Sequence, residues 1–237
     1  MISFKNRTNQ LELLDAPNIP TKDLYQNLKE LHTINSLLGG YNVMIKGIER
    51  LLKDVPPNKE IKILDIGSGG GDTLKVIHRK LSKKYNLKLY GVDLKKDCID
   101  YASENCKKYD ITFILSDYRD LIDQELEFDI VVSSLFCHHL TNHDLVNLFQ
   151  WMHTHAKIGA VVNDLHRHPL AYYSIQWLTK LISKSYLVKN DAPLSVARSF
   201  KRNDFSRYLK EANITKHRLT WFWAFRWLLT FNGKNND

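Results

Sequence analysis

The feature that most constrains this chain is a glycine-rich turn at the end of an apolar run. Residues 63–66 (Ile-Leu-Asp-Ile) lead into Gly67-Ser68-Gly69-Gly70-Gly71-Asp72, and a helical pattern follows over 73–81. This order predicts a strand, a tight loop and a helix. Glycine permits positive φ and lets the backbone touch a ligand, and a helix start has free N–H groups. We therefore expect a ligand site at this strand end, where open α/β sheets bind ligands.

The spacing of the glycines argues against two common nucleotide motifs. A dinucleotide fingerprint, G-x-G-x-x-G, starting at Gly67 needs a glycine where Asp72 stands, and one starting at Gly69 needs it at Leu74. A phosphate-binding P-loop needs Gly-Lys-Ser/Thr, whereas this chain has Gly-Asp-Thr. A nicotinamide oxidoreductase is therefore disfavoured. A tight turn without a ligand is the remaining alternative, although four glycines in five positions carry an entropic cost that calls for a reason.

Acidic residues end the next two predicted strands. The strand over 87–93 ends in Asp93, about 20 residues past the loop, where a carboxylate can bind ribose hydroxyls. Nicotinamide enzymes share this feature, so it does not identify the cofactor. The strand over 111–117 ends in Asp117, and the apolar run over 128–135 contains Ser133. Any one of these residues could be an ordinary solvated or core side chain, and their joint order carries the prediction.

These residues together resemble class I S-adenosylmethionine-dependent methyltransferases. Their first motif is D/E-x-G-x-G-x-G, which matches Asp65, Gly67, Gly69 and Gly71. The resemblance covers about residues 60–165 and implies S-adenosyl-L-methionine as cofactor, with S-adenosyl-L-homocysteine as product. It implies that the loop binds the methionine portion, Asp93 the ribose and Asp117 with Tyr118 the adenine. The full set of implied cofactor residues is Asp65, Gly67, Ser68, Gly69, Gly71, Asp93, Leu94, Asp117, Tyr118 and Ser133.

Strands and helices alternate between residues 61 and 164, which predicts an α/β fold. We expect a Rossmann-like, doubly wound sheet of seven strands, mostly parallel, with the last strand antiparallel. Residues 1–57 read as an N-terminal helical extension or cap, with helices from Thr21 and from Asn42, and 58–237 as the methyltransferase domain. Within it, 168–200 read as a helical insertion after strand 5 that could cover the substrate. Residues 214–219 and 222–231 read as a final antiparallel pair.

Composition and charge indicate which cellular compartment and which classes of partner to expect. The start of the chain lacks the pattern of a signal peptide, and no run approaches the length of a membrane span. Three cysteines without C-x-x-C spacing suit free thiols in a reducing compartment, so we expect a cytoplasmic monomer or homodimer. Residues 180–237 carry 12 Lys and Arg against 4 Asp and Glu, and the net charge of the whole chain is +8. These basic residues are scattered, which favours a small-molecule acceptor over a nucleic acid, although an RNA methyltransferase stays an alternative.

Histidines follow the predicted fourth and fifth strands, where an acceptor would be bound. His138, His139 or His166 is the expected general base, because an acceptor hydroxyl must lose a proton. In extended geometry Asp164, His166 and His168 would share one side, and Asp164 could orient an imidazole. Adjacent His138 and His139 would then point apart. Each histidine could equally be structural. The spacing of His138, His139 and His143 matches no standard zinc motif, so no metal is expected.

The segment after the fourth strand limits the acceptor. It reads Ser133-Ser134-Leu135-Phe136, without the Asn/Asp-Pro-Pro-Tyr typical of amino-group methylation on adenine or glutamine. The run through His139 resembles quinone-biosynthesis and other small-molecule methyltransferases. We expect O- or C-methylation of a phenolic, quinol or polyketide-like acceptor, with Tyr172, Tyr173 and Trp177 in the substrate pocket. A non-catalytic module that only binds S-adenosylmethionine is the other alternative.

Overall fold

The fold is a seven-stranded sheet with helices on both faces. The computed structural model describes residues 3–56, 58–124 and 127–234. Its strand order is β3-β2-β1-β4-β5-β7-β6. Strands β1 to β5 are parallel to one another, and β7 is antiparallel to both β5 and β6. This is the predicted doubly wound architecture, which is confirmed.

The strands have the following bounds: β1 Glu60–Ile66, β2 Asn86–Asp93, β3 Ile111–Leu115, β4 Phe128–Ser134, β5 Ala156–Leu165, β6 His217–Phe222 and β7 Arg226–Asn232. The α-helices are α1 Thr21–Leu37, α2 Gly40–Leu51, α3 Asp72–Leu81, α4 Lys96–Cys106, α5 Asn142–His155, α6 Pro169–Ile182, α7 Tyr186–Arg198 and α8 Arg202–Glu211. Short 3-10 turns cover Leu13–Asp15, Tyr118–Gln124 and Cys137–His139.

Two apolar clusters cover the two faces of the sheet. One face packs against α2 and α3, with Ile48 and Leu74 fully buried. The other packs against α5 and α8, with Phe149 and Phe205 fully buried. Because β1 and β4 are covered on both sides, nearly all their residues are buried. Continuous apolar runs are what such strands require, which is why the sequence pattern located them well.

Helix α1 lies beside the ligand-binding edge of the sheet, whereas α2 packs on one of its faces. Leu24 and Leu28 of α1 pack against Cys98 of α4. Helices α6 and α7 occupy most of residues 168–200. Pro193 lies inside α7, although proline removes a backbone donor and disfavours a helix interior. Seven of the other residues of α7 are buried, and tertiary packing supports the helix there.

Several element boundaries differ from the sequence expectations. Strand β3 ends at Leu115, two residues early, which places Asp117 in the following loop. Strand β5 begins at Ala156 instead of residue 159, β6 is shifted by three residues towards the C-terminus, and β7 begins four residues later and ends one residue later than expected. The three cysteines are buried free thiols. Within the described ranges, none of the helices combines the length and apolar character that crossing a membrane requires.

Candidate cofactor and acceptor site

A cavity of about 530 Å³ lies at the carboxyl ends of β1, β2 and β4. Its walls come from the glycine loop, the ends of β2 and β4, α1, the Leu13–Asp15 turn and the start of α5. The predicted cofactor residues that line it are Gly67, Ser68, Gly69, Asp93, Leu94, Asp117 and Tyr118. Sequence elements that are far apart therefore meet at one edge of the sheet, where parallel α/β folds bind ligands.

Three glycines of the loop adopt the left-handed conformation. Gly67, Gly69 and Gly71 have φ values of 71°, 51° and 75°. A Cβ at Gly67 would meet the Phe136 ring at 2.3 Å, so the backbone must pass close to that ring. A Cβ at Gly69 would find only Leu28 within 4 Å, at 3.8 Å. The loop therefore presents bare backbone to the cavity at Gly69, and Gly71 begins α3 without lining the cavity.

Asp93 joins the end of β2 to the glycine loop. Its Oδ2 accepts the backbone N–H of Gly69 at 2.9 Å, and its Oδ1 accepts that of Lys95 at 2.9 Å. Each carboxylate oxygen has a second lone pair free for a ligand hydroxyl. Burial raises the pKa of Asp93.

Asp65 lies beneath the loop at the end of β1 and does not line the cavity. Its two carboxyl oxygens have no hydrogen-bond partner among the described residues. Burial, together with the nearby charge of Asp93, raises its pKa well above the ordinary value. A buried acid of this kind favours its neutral form unless a cation or donor approaches.

The predicted adenine residues lie at the far end of the cavity. The Asp117 carboxylate is paired with the Arg119 guanidinium, with Oδ1 accepting from Nε at 2.9 Å. This pairing lowers the pKa of Asp117. Tyr118 packs edge-on against Trp151 with ring centroids 5.3 Å apart. Leu94, two-thirds exposed, adds an apolar wall.

The serine that lines the cavity is the one after the predicted residue. Ser133 is fully buried, and its hydroxyl donates to the Ile66 carbonyl at 3.3 Å. Ser134 lines the cavity instead, together with Leu135 and Phe136. Side chains alternate along a strand, so adjacent serines of β4 face opposite sides.

The structure separates the three candidate bases. His139 lines the cavity, and its Nδ1 lies 2.7 Å from Asp15 Oδ1. His138 is buried behind it, with Nδ1 2.8 Å from Asp164 Oδ1. His166 lies outside the cavity lining, where its Nδ1 accepts the Trp221 indole N–H at 3.2 Å.

Two expectations about these histidines were wrong. Asp164 orients His138, not a histidine of its own strand. His138 and His139 do not point apart, because Cys137–His139 is a 3-10 turn and not extended backbone. Their ring centroids lie 4.4 Å apart at an interplanar angle of 33°.

The aromatic residues predicted for the substrate pocket lie on α6. Tyr172 packs edge-on against Phe4 with ring centroids 5.5 Å apart, and Tyr173 packs against Tyr172. Trp177 is two-thirds exposed. None of the three is among the lining residues of the cavity, so their role in acceptor binding stays a prediction.

The N-terminal extension, which was expected to act as a cap, supplies cavity residues that were not predicted individually. His32 of α1 lies 3.1 Å from Asp72 of α3 through Nδ1 and Oδ1, and 3.0 Å from the Tyr41 hydroxyl. All three side chains line the cavity, as do Leu14 and Asp15. The available signal was the amphipathic pattern of α1 next to a glycine loop, which places a helix without identifying its partner.

The residues of the cavity fit a nucleoside cofactor with a positive centre. The volume falls within the range of small-molecule sites. Among the described residues the Ser68 hydroxyl is buried without a hydrogen-bond partner, and so is the Asp65 carboxyl, which lies close to Asp93 but outside the cavity lining. Bare loop backbone at Gly69 and the free lone pairs of Asp93 complete a polar cradle.

Comparisons with known proteins agree with this site. Residues 63–159 match the family model described as a methyltransferase domain. Cyclopropane-fatty-acyl-phospholipid synthase of Escherichia coli K12 is 36% identical over 73 residues, which are 31% of this chain and 17% of that protein. Malonyl-[acyl-carrier protein] O-methyltransferase of Marinomonas sp. MWYL1 is 34% identical over 89 residues, which are 37% of this chain and 32% of that protein. The chain thus spans less than a third of either relative.

Solved structures share the fold over most of the chain. The plantazolicin methyltransferase BpumL, in complex with a monoazolic desmethylPZN analog and SAH, superposes with a TM-score of 0.63 and 14% identity, covering 87% of this chain and 89% of that one. Human N-acetylserotonin methyltransferase in complex with SAM gives 0.63 and 15% identity, covering 90% and 56%. At such identity the likeness concerns the fold alone. From the domain match, the sheet order and the glycine loop, we conclude that residues 63–159 form a methyltransferase domain.

Proposed function

We propose that this protein transfers the methyl group of S-adenosylmethionine to a small acceptor, at oxygen or carbon. The observation that carries the proposal is that one cavity is lined both by the predicted cofactor residues and by His139. A cofactor and an acceptor that meet in one enclosed space can react without diffusing apart.

The cofactor roles follow from the cavity. We assign the backbone of Gly67 and Gly69 to the methionine portion, Asp93 to the ribose hydroxyls, and Asp117 with Tyr118 to the adenine. When bound, the cofactor supplies an activated sulfonium methyl group. The protein has to hold the acceptor in line with that methyl, exclude water and promote loss of the acceptor's proton.

We assign the activation of the acceptor to the His138–His139 pair. His139 is the member that lines the cavity, and Asp15 fixes its ring. His138 is held in place behind it by Asp164. His166 is not assigned this role, because it lies outside the cavity and burial lowers its pKa to about 4, which weakens it as a base.

A phenolic, quinol or polyketide-like acceptor fits the chemistry of the remaining wall. Leu14, Leu28, Leu31, Phe136 and Leu140 add apolar surface next to His139. Apolar walls with a few placed polar groups are typical of sites for flat organic ligands.

The two alternatives have less support. For RNA, the basic C-terminal third loses part of its surface charge, because Arg198 and Arg226 are buried. A non-catalytic module would not need an imidazole in the cavity, whereas His139 lies in its wall. Turnover on any acceptor distinguishes the enzyme from the module.

The test is calorimetric titration of the full chain with S-adenosylmethionine, S-adenosylhomocysteine and NADH, followed by a methyl-transfer assay on phenols, quinols and an RNA. Binding of the first two ligands without NADH binding, and methylation of a small acceptor, are expected. NADH binding, or cofactor binding that never leads to methylation, would contradict the proposal.

A further inference from the structure

Glu12 brings a carboxylate to the two histidines of the Cys137–His139 turn. Its Oε1 lies 3.7 Å from His138 Nε2, and its Oε2 lies 3.7 Å from His139 Nε2. One ligand atom from each of the three residues lies within 4.8 Å of the others. Glu12 and His138 are buried, and His139 is partly buried. The segment before α1 thus meets the end of β4, more than 120 residues away.

The other nitrogen of each ring is held by a second carboxylate. His138 Nδ1 lies 2.8 Å from Asp164, and His139 Nδ1 lies 2.7 Å from Asp15. A carboxylate accepts an N–H, so each Nδ1 donates and each Nε2 lone pair faces Glu12. Histidines that bind metals use this arrangement, in which the partner of the second nitrogen fixes the tautomer and the ring.

The spacing fits a small divalent ion. Ligands at about 2.0–2.1 Å in a tetrahedral site lie about 3.4 Å from one another. The two distances of 3.7 Å, which run to different oxygens of Glu12, are close to that spacing, and all three ligand atoms lie within 4.8 Å of one another, so the site has to contract around the ion. Distances of 3.7 Å are too long for hydrogen bonds between Glu12 and the rings. Glu12 Oε1 already accepts the Ser195 hydroxyl at 2.9 Å, and its side chain forms a capping box with the Asp15 backbone N–H.

The surrounding charges favour a cation. Arg198 is the nearest guanidinium, with Nε 3.8 Å from Glu12 Oε1, but it is directed at main-chain carbonyls of both histidines. With neutral imidazoles, four carboxylates face three guanidinium groups: Glu12, Asp15, Asp164 and Asp191 against Arg7, Arg198 and Arg226. One further positive charge, either a metal ion or a proton, balances this set.

We propose that Glu12, His138 and His139 bind a divalent transition-metal ion of the Zn²⁺ type, in the wall of the cofactor cavity. Two imidazoles and one carboxylate leave further coordination positions open, as in catalytic zinc sites. His139 and Asp15 line the cavity, so an acceptor oxygen can reach the ion. This last step depends on the proposed function: an acceptor hydroxyl bound to the ion would lose its proton more easily.

The experiment uses Co²⁺ as a spectroscopic probe on the full chain after treatment with a chelator. We expect one equivalent of Co²⁺ to give visible absorption bands of low-symmetry N/O coordination, and Zn²⁺ to displace it. E12Q and H139Q should weaken Co²⁺ binding at least tenfold. D15N, which weakens the contact that orients His139 without removing a ligand, should weaken it about 10–100-fold. H143A is the matched control, because His143 is an exposed histidine next to the same turn.

Circular dichroism and calorimetry with S-adenosylmethionine show whether each variant folds and keeps its cofactor site. The absence of saturable Co²⁺ binding in the wild type would overturn the metal proposal, since the cluster would then hold a proton alone. Co²⁺ affinity unchanged in both E12Q and H139Q would overturn it as well. Failure of the wild type to bind S-adenosylmethionine would contradict the proposed function. It would not affect the conclusion about the metal site, which the Co²⁺ titration tests separately.

Discussion

The Asp93 carboxylate accepts the backbone N–H of Gly69 at 2.9 Å, and this bond ties the end of the second strand to the glycine loop after the first. The same carboxylate lines the cavity. Asp93 therefore shapes the loop and faces the ligand at the same time, so that the two motifs found 24 residues apart in the sequence act as one unit.

Replacement of Asp93 should weaken cofactor binding. D93A removes a charged acceptor for ligand hydroxyls and for Gly69, and hydrogen bonds to charged groups contribute about 1.5–3 kcal/mol. We expect the Kd for S-adenosylmethionine to rise about 10–100-fold in a calorimetric titration. D110N, at an exposed acid that pairs with Lys88 at the surface, should leave the Kd unchanged. An unchanged Kd in D93A would refute the ribose role.

The substitutions G67A and G69A should have different effects: the first should mainly lower stability, and the second should mainly weaken cofactor binding. In G67A the new methyl group would meet the Phe136 ring at 2.3 Å in a left-handed backbone, so we expect a loss of about 2–4 kcal/mol in unfolding free energy. In G69A the methyl group has space, and only the conformation costs about 1 kcal/mol. Denaturant unfolding and titration with S-adenosylmethionine check this. G69A should fold normally but bind the cofactor poorly. Equal stability of the two variants would contradict the argument.

Arg198 should be essential for the fold around the histidine turn. Its guanidinium donates to the main-chain carbonyls of Gln10, His138 and His139 and to the Asp15 carboxylate. Lysine cannot reproduce this fork of donors. R198K should therefore lower the unfolding free energy by about 2 kcal/mol or more, measured by urea denaturation. R218K, at an exposed position of β6, is the control and should lie within about 0.5 kcal/mol of the wild type.

His166 should make stability depend on pH. Burial and the nearby positive groups lower its pKa to about 4, below its ordinary value of 6.5. The unfolded chain then binds more protons between these values, so stability is full above about pH 6.5 and falls as the pH drops towards 4. In H166Q this contribution disappears. Because His166 is only half-buried, we expect a difference on the order of 1 kcal/mol after allowance for solvent screening. Melting curves of the wild type and H166Q at pH 7.5 and pH 5 measure this difference. Equal losses of stability in the two proteins between these pH values would count against the role of His166.

The predicted role of Trp177 in acceptor binding can be separated from cofactor binding. The side chain is exposed and lies outside the cavity lining. We expect W177A to keep the wild-type Kd for S-adenosylmethionine. If α6 contacts the acceptor, the KM for the acceptor rises while kcat changes little, because only ground-state binding is lost. An unaltered KM would remove Trp177 from the acceptor site.

The sequence by itself determined the sheet and the cofactor loop. Runs buried on both faces and a glycine turn are local patterns, and they located β1, β2 and β4 and the residues Gly67, Gly69 and Asp93. The loop's spacing also indicated the family before any geometry was known. These features depend on neighbours along the chain, which is why the sequence alone can show them.

Only the tertiary structure decided what faces the cofactor cavity from outside the motifs. Glu12 and Asp15 meet His138 and His139 across more than 120 residues, and Asp164 orients His138 instead of His166. Long-range contacts of this kind are set by how the N-terminal segment and α7 pack over the strand ends. A 3-10 turn, invisible as a sequence pattern, turned two adjacent histidines towards one carboxylate.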